Sequence, residues 1–437
     1  MGRFAPTRRA RALALVLVAV LVLALALAAV DAAEAIETGA RDDVEGGCAA
    51  RFDDEEGNAD AEGNAEADAE ASCGCADAQN RASALGDMLE QDKQKTAQQQ
   101  ESSVKTTSAE KHELDSAPVF DELQAYIEAG HMDPDLVRPM PMVFIPAGEF
   151  TMGTDDPQIP GDAEGPARRV RLSEFELDEM EVSNRQFAEF VLDTKYVTEA
   201  ESFGWSFCFL GTLSEKLREE ITVQVQEVPW WAPVNGANWL HPDGPDSDVV
   251  LQDKLDYPVT HVTHNDARAY CEWAGKRLPR EAEFERAAKG DLEGVLFPWG
   301  AEMTPNGTHR ANLWQGHFPE NNTGEDGYVW ASPVDSFGAQ NKFGLKNIIG
   351  NVWEWVADAW NTRHHLTAPG GGMLTDFQVE IAGRIDDPAV ERVKKGGSYM
   401  CHISYCYRYR VDARSHNTAD SSSQNLGFRC ARDTDED

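Results

Sequence analysis

Beyond residue 290 the chain has no long run of helical or strand periodicity, yet it is dense in Trp, Gly, Asn and Pro, and all 11 Trp of the sequence lie between Trp205 and Trp360. Such a stretch cannot build its core from long amphipathic helices or wide regular sheets. It must pack large aromatic side chains between turns and loops, with cross-links holding what regular structure does not. No internal repeat is present. The expected fold is α+β, an irregular single domain with low regular secondary structure.

Charge divides the chain. It has 437 residues and a formal net charge of −37, and residues 31–135 hold 28 acidic against 7 basic side chains. Phosphate contacts require Lys and Arg, so neither a nucleic acid nor an anionic membrane is expected as a partner. The first 35 residues read as a secretory signal: Arg3, Arg8, Arg9 and Arg11, an apolar run from Leu13 to Val30, then small residues around Ala33 and Ala35 that favour cleavage over the alternative, a signal anchor of 18 apolar residues. Residues 36–115 form an acidic leader too poor in apolar side chains to offset chain entropy, and disorder is expected there. Residues 116–437 form the folded unit. After signal removal no membrane association is expected, and the compartment is the secretory pathway, the endoplasmic reticulum lumen above all. Sequons at Asn306 and Asn321 suit that compartment. The terminal Asp435-Glu436-Asp437 is not a lysyl-type retention signal.

Within the folded unit, Phe120, Leu123, Tyr126 and Ile127 predict a helix from Pro118. Met142 to Met152 reads as a strand pair with a Pro/Gly break, and Arg169 to Val182 as another strand. Ser183 can cap a helix burying Phe187, Phe190 and Val191. A second helix is expected over 266–275, with Ala267, Tyr270, Cys271 and Ala274 on one face, and a third over 280–288, opened by Pro279.

Eight cysteines occur: Cys48, Cys73, Cys75, Cys208, Cys271, Cys401, Cys406 and Cys430. Cys271, on a helix face, and Cys430, in the final apolar run, make a natural long-range disulfide. Cys401 and Cys406 lie among aromatics and cations, five residues apart. Neither a straight strand nor a helix brings such positions together, so the segment must fold back if the thiols are to meet. Once met, they form either a disulfide or a two-thiolate metal site. Zinc would need two more ligands, whereas soft thiolates suit copper(I). Arg408, Arg410 and His402 would help keep the thiols ionised. Two Gly-rich loops, 312–328 and 347–354, carry the amide and carboxylate inventory of calcium sites, though polar turns without an ion remain the simpler reading from spacing alone. His261, His264 and the His364-His365 pair read as ordinary polar or core residues.

In order along the chain stand MVFIPAGEFTMGTDDPQI at 142–159, PARRV at 166–170, EVSN at 181–184, TEAE at 198–201 and GANW at 236–239. They are followed by AYCEWAGKRLPREAEFE at 269–285, FPWG at 297–300, NTGEDG at 322–327, GNVWEW at 350–355, VKKGGSYMCHISYCYRYR at 393–410 and NLGFRC at 425–430. Together these resemble the sulfatase-modifying, formylglycine-generating enzyme family. The resemblance implies a formylglycine-generating-enzyme fold, distantly like C-type lectin domains; a monomer is expected. It implies oxidation by O2, with a reductant, of a cysteine in unfolded sulfatases (a Cys-x-Pro-x-Arg segment) to Cα-formylglycine. Copper(I) would bind Cys401 and Cys406, with Ser398, Tyr405 and Trp353 around them as catalytic residues and His402, Asn425 and Glu181 as substrate-binding residues. One structural calcium would take Asn312, Leu313, Asp326 and Tyr328, a second Asn347, Gly350, Val352 and Glu354. The family also includes a non-catalytic, sulfatase-binding paralogue without the thiol pair, which this chain keeps.

Departures from the vertebrate pattern are local. A second family disulfide has no partners here, since Ala287 or Ala288 and Val411 occupy its positions. Trp205 stands where an Asp helps hold the substrate arginine, leaving Glu181 as the remaining acidic partner, and Ile403 replaces an Arg. Leu192 matches the glycosylated Asn. Cys73-Gly-Cys75 resembles a retention-linked pair, in a dissimilar leader.

Overall fold

The computed structural model describes residues 118–133, 139–226, 228–362 and 390–434; the signal, the acidic leader, Cys48, Cys73, Cys75, His364 and His365 lie outside them. The described helices are α1 (Pro118–Glu128), α2 (Asn184–Thr194), α3 (Glu199–Phe203), α4 (Glu215–Glu220), α5 (His264–Trp273) and α6 (Glu281–Lys289). The strands are β1 (Met142–Ile145), β2 (Gly148–Met152), β3 (Arg168–Leu172), β4 (Phe175–Asp178), β5 (Trp205–Phe209), β6 (Trp231–Asn235), β7 (Gly316–His317), β8 (Asn321–Asn322), β9 (Trp353–Ala359), β10 (Arg392–Lys395), β11 (Ser415–Asn417), β12 (Leu426–Phe428) and β13 (Ala431–Asp433). None of these elements exceeds 11 residues, as the sparse periodicity predicts.

Strand pairing differs from expectation. The 142–152 segment is not a hairpin: β1 pairs with β4 and β2 with β3, both antiparallel. The expected strand from Arg169 to Val182 is broken at Ser173 and Glu174 and ends at Asp178. The two breaks face each other, so one long ribbon bends into two sheets at a corner. Pro146, with no N–H to donate, cannot continue the ladder there. β13 extends the first sheet along β4. The sheet nearest the site has the order β11-β10-β9-β12, with β12 parallel to β9.

Helix starts follow their caps. The Ser183 hydroxyl accepts from the Gln186 N–H at 3.4 Å while the Gln186 amide oxygen accepts from the Ser183 N–H at 2.9 Å. Replacing Ser183 with Ala should cost about 1 kcal/mol, read as a lower urea midpoint with an unchanged slope; no shift in the midpoint would show the cap to be idle. Thr263 caps α5, which starts two residues earlier than expected. Arg280 stays extended and acts as the N-cap of α6, displacing that helix by one residue.

The core is aromatic and, unusually, cationic: Trp239, Trp314, Trp353, Trp355, Tyr399 and Tyr409 are fully buried together with Arg410 and Arg429. Buried guanidiniums persist only with partners. Arg410 pairs with Glu164 and Arg429 with Glu354. Cys271 on α5 and Cys430 between β12 and β13 form a disulfide spanning 159 residues, a closure worth ~4–5 kcal/mol in the loop-entropy account. Cys208 is a buried free thiol. His261 and His264 are buried core residues, their Nε2 atoms set against the carbonyls of Pro242 and Val356 at 2.8 and 3.2 Å. Among the described residues no helix is long and apolar enough to cross a membrane.

Candidate active site

The segment after β10 makes the fold-back that the Cys401/Cys406 spacing demands. Gly397 has φ +73°, and a Cβ there would lie 3.0 Å from the Tyr409 Cα, so only glycine lets the two strands of the bend approach. Beyond it the N–H groups of Tyr405 and Cys406 both donate to the His402 carbonyl, at 3.0 and 2.7 Å. The turn sets the two Sγ atoms 2.7 Å apart. That separation exceeds the roughly 2.05 Å of a disulfide, and both thiols are buried and unbridged. Among the described residues no third His, Cys, Asp or Glu completes a metal cluster with them. The pair therefore lacks the donor set of a zinc site, while two sulfurs alone suit a soft monovalent ion.

The neighbouring polar groups are ordered by one another. The Ser398 N–H points at Cys401 Sγ (3.4 Å) and its hydroxyl lies 4.0 Å from the same sulfur. That hydroxyl accepts from Asn425 Nδ2 at 3.0 Å and from the Met400 N–H at 3.3 Å, so its own proton is free to turn toward Cys401. Asn425 is held in turn by the Ser423 hydroxyl on its Oδ1, and its carbonyl accepts from the Trp353 N–H at 2.8 Å. Trp353 on β9 is wholly buried, its indole N–H has no hydrogen-bond partner among the described residues, and the Lys394 ammonium sits 5.0 Å from its ring.

Tyr405 is half-buried. It stacks on Phe318 at 4.1 Å, and Trp230 meets it edge-on at 5.0 Å with the indole N–H 3.4 Å from the phenol oxygen. These three rings form an aromatic wall beside Cys406. His402 is half-buried, with Nδ1 accepting from the Ser404 N–H at 3.2 Å. Burial, with His317 nearby, lowers its pKa. Arg408 and Arg410 do not serve the thiols as free cations: each guanidinium is committed to a carboxylate of the 155–166 loop, Asp162 and Glu164 respectively. Tyr409, which sequence reasoning passed over, is buried near both sulfurs, and burial with their charges pushes its phenol up.

The two Gly-rich loops lie directly behind the thiol segment. In the first, Asp326 accepts from the N–H groups of Leu313 (2.9 Å) and Tyr328 (3.0 Å). In the second, Gly350 has φ +92° and approaches so closely that a Cβ would lie 2.7 Å from the Asn312 carbonyl oxygen. The amide oxygens of Asn312 and Asn347 are both buried with no hydrogen-bond partner among the described residues. Each amide is oriented by its nitrogen, Asn312 Nδ2 donating to the Trp330 carbonyl (2.9 Å) and Asn347 Nδ2 to the Val334 carbonyl (3.0 Å). A buried orphan acceptor is costly unless something supplies positive charge, so these two oxygens fit a hard cation in each loop. Val352 is buried in the second loop beside Glu354, whose carboxylate is gripped by Arg429 at 2.6 and 2.7 Å.

Glu181 is placed differently from expectation. As a contact for a substrate arginine it would need an open carboxylate, but it is fully buried, and its oxygens accept from Asn347 Nδ2 (3.1 Å) and Asn351 Nδ2 (3.0 Å). Burial, reinforced by the nearby Glu354 charge, pushes its pKa up to about 8. Its place is structural, beneath the second loop.

The profile of the sulfatase-modifying factor enzyme 1-like domain matches residues 128–434. The chain belongs to this family. The bovine formylglycine-generating enzyme is 55% identical over 299 residues, 68% of this chain and 76% of that one. The Thermomonospora curvata formylglycine-generating enzyme is 52% identical, covering 67% of this chain and 93% of its own. The bovine inactive C-alpha-formylglycine-generating enzyme 2 is 45% identical, covering 66% and 85%. Membership of the sulfatase-modifying factor family thus spans every described strand and all residues of the thiol site and both loops.

Proposed function

We propose that this chain activates sulfatases by oxidising a cysteine in the unfolded polypeptide to Cα-formylglycine. The observation that carries the reading is the buried, unbridged Cys401/Cys406 pair with Ser398 and Asn425 arranged on it, in a chain 55% identical to a formylglycine-generating enzyme. Electron balance requires a reductant. Converting the thiol-bearing methylene of the substrate cysteine to an aldehyde, with release of the sulfur as hydrogen sulfide, removes two electrons. Reducing O2 to water takes four, and the other two come from an external thiol oxidised to its disulfide.

Cys401 and Cys406 would hold copper(I), which when bound supplies the means of activating O2. The chain's own residues do the rest. Ser398 offers a hydroxyl proton toward Cys401, Asn425 fixes that hydroxyl, and the Tyr405–Phe318–Trp230 wall provides an apolar face against which an extended peptide can lie. His402 stands at the exposed rim of the turn, a position from which it could meet the peptide backbone. Calcium in the two loops would be structural, with Asn312, Leu313, Asp326 and Tyr328 around one ion and Asn347, Gly350, Val352 and Glu354 around the other. We further read residues 1–35 as a cleaved secretory signal, 36–115 as an acidic leader and the mature protein as a monomer in the endoplasmic reticulum lumen.

The 45% identical inactive relative raises a second reading, a sulfatase-binding protein without catalysis. Incubating copper-loaded protein aerobically with a Cys-Thr-Pro-Ser-Arg peptide and a thiol reductant, followed by mass spectrometry, separates the two. An oxime-reactive aldehyde is the expected product. Peptide binding without any change in peptide mass would overturn the catalytic reading.

A further inference from the structure

We propose that Asn351 couples the two cation loops to each other and to the thiol segment, so that the loops bind their ions cooperatively. This deepens the calcium reading above and rests on it.

Asn351 belongs to neither set of expected ligands, yet its N–H and its side-chain amide join the two loops. Its N–H donates to the Asn312 carbonyl at 2.9 Å, and its Oδ1 accepts from Asn312 Nδ2 at 3.3 Å. The same oxygen accepts from the Ser332 N–H at 2.9 Å. Its Nδ2 donates to Glu181 Oε1 at 3.0 Å, and Glu181 Oε2 accepts from Asn347 Nδ2 at 3.1 Å. One amide therefore touches Asn312 on one side and, through a single carboxylate, Asn347 on the other. Both of those residues carry a buried Oδ1 with no hydrogen-bond partner among the described residues. An ion that pulls on Asn312 Oδ1 fixes the plane of that amide, which fixes Nδ2, Asn351, Glu181 and the plane of the Asn347 amide in turn. Ordering one site thus supplies part of the ordering of the other, which is positive coupling.

The backbone carries the linkage onward. The Asn351 carbonyl accepts from the Tyr399 N–H at 2.8 Å, Gly350 donates to the Gly396 carbonyl at 3.0 Å, and Trp314 donates to the Cys401 carbonyl at 3.1 Å. Each loop therefore holds the backbone around Ser398 and Cys401. Asn351 itself has φ +55°, in the left-handed region that Asn tolerates and Gly enters freely. Its replacement by Gly consequently removes the amide without straining the chain.

Isothermal titration with calcium chloride tests the proposal on the full mature chain, comparing the parent, Asp326→Ala, Asn351→Gly and the double variant. In the parent, two ions should bind cooperatively, and Asp326→Ala should leave one ion bound about tenfold more weakly, within the usual range of allosteric coupling. In the Asn351→Gly background the two ions should bind independently, and adding Asp326→Ala should leave the second loop's affinity unchanged. A residue that merely fills space would weaken both affinities without abolishing their interdependence. Two independent ions in the parent, or cooperativity that survives Asn351→Gly, would overturn the proposal. No calcium binding by the parent would overturn the loop reading itself, a distinguishable outcome. Should Asn351→Gly not fold, Glu181→Gln breaks the same chain by setting an amide nitrogen against one of the two donating Asn side chains, and the same loss of coupling is expected.

Discussion

Cys406→Ser is expected to give a folded protein that binds the peptide but leaves its cysteine untouched, with turnover down by on the order of a thousandfold or more, since a residue required for the chemistry and not only for binding is removed. The fold should survive because the thiol makes no disulfide and the substitution is nearly isosteric. Cys406 also anchors its turn through its backbone, the N–H to the His402 carbonyl, which serine retains. The control is Cys208→Ser, at another buried cysteine, whose sulfur lies 3.5 Å from the Pro242 carbonyl and has no part in the site. That variant should keep turnover. Aldehyde formation by mass spectrometry reads both, and near-UV dichroism checks that each folds. Substantial turnover in Cys406→Ser would remove the thiol pair from the mechanism.

The sequence showed the start of α2 and the pairing of Cys271 with Cys430 because each rests on a local or an unusually strong signal: a Ser at the N-cap, and a helix-face thiol matched to a thiol in the last apolar run. It could show that Cys401 and Cys406 must fold back, since five-residue spacing excludes a straight element. What it could not show is where long side chains reach. Arg408 and Arg410 read as cations near the thiols, but their guanidiniums turn to Asp162 and Glu164, 246 residues earlier in the chain. Glu181 read as an acidic partner for a substrate arginine and is a buried brace. Both errors share a cause, because a charged residue type says nothing about which distant partner neutralises it. The bent ribbon of β1 to β4 escaped for a related reason, since period-two alternation does not say which strand lies opposite. Asn351 carried only a faint signal, an Asn in a Gly-Asn step able to adopt positive φ.

A large loss of stability away from the site is expected from Glu285→Gln. This carboxylate on α6 is buried between two ammonium groups, Lys289 at 2.9 Å and Lys395 at 3.3 Å, and also accepts from the Gly153 N–H at 2.6 Å. Burial alone would raise its pKa, but the two lysines outweigh burial and hold it at about 2. Glutamine keeps the volume and one acceptor but sets an amide nitrogen against a buried cation. Breaking a buried pair by neutralising one partner costs about 3–5 kcal/mol. The lower end applies here, because Lys289 also reaches Asp412 and Lys395 lies 3.9 Å from Glu281. The pH dependence has a definite sign. A carboxyl group whose folded pKa is depressed contributes stability that is complete above its ordinary value of 4.5 and disappears as pH falls toward 2. The gap between the parent and Glu285→Gln should therefore be constant near neutral pH, narrow below 4.5 and close near 2, where both carry an uncharged group between the same lysines. Urea titrations at neutral pH and at several points below it measure that gap directly. A gap of the same size throughout the acid range would mean that the loss comes from packing rather than from the charge of Glu285.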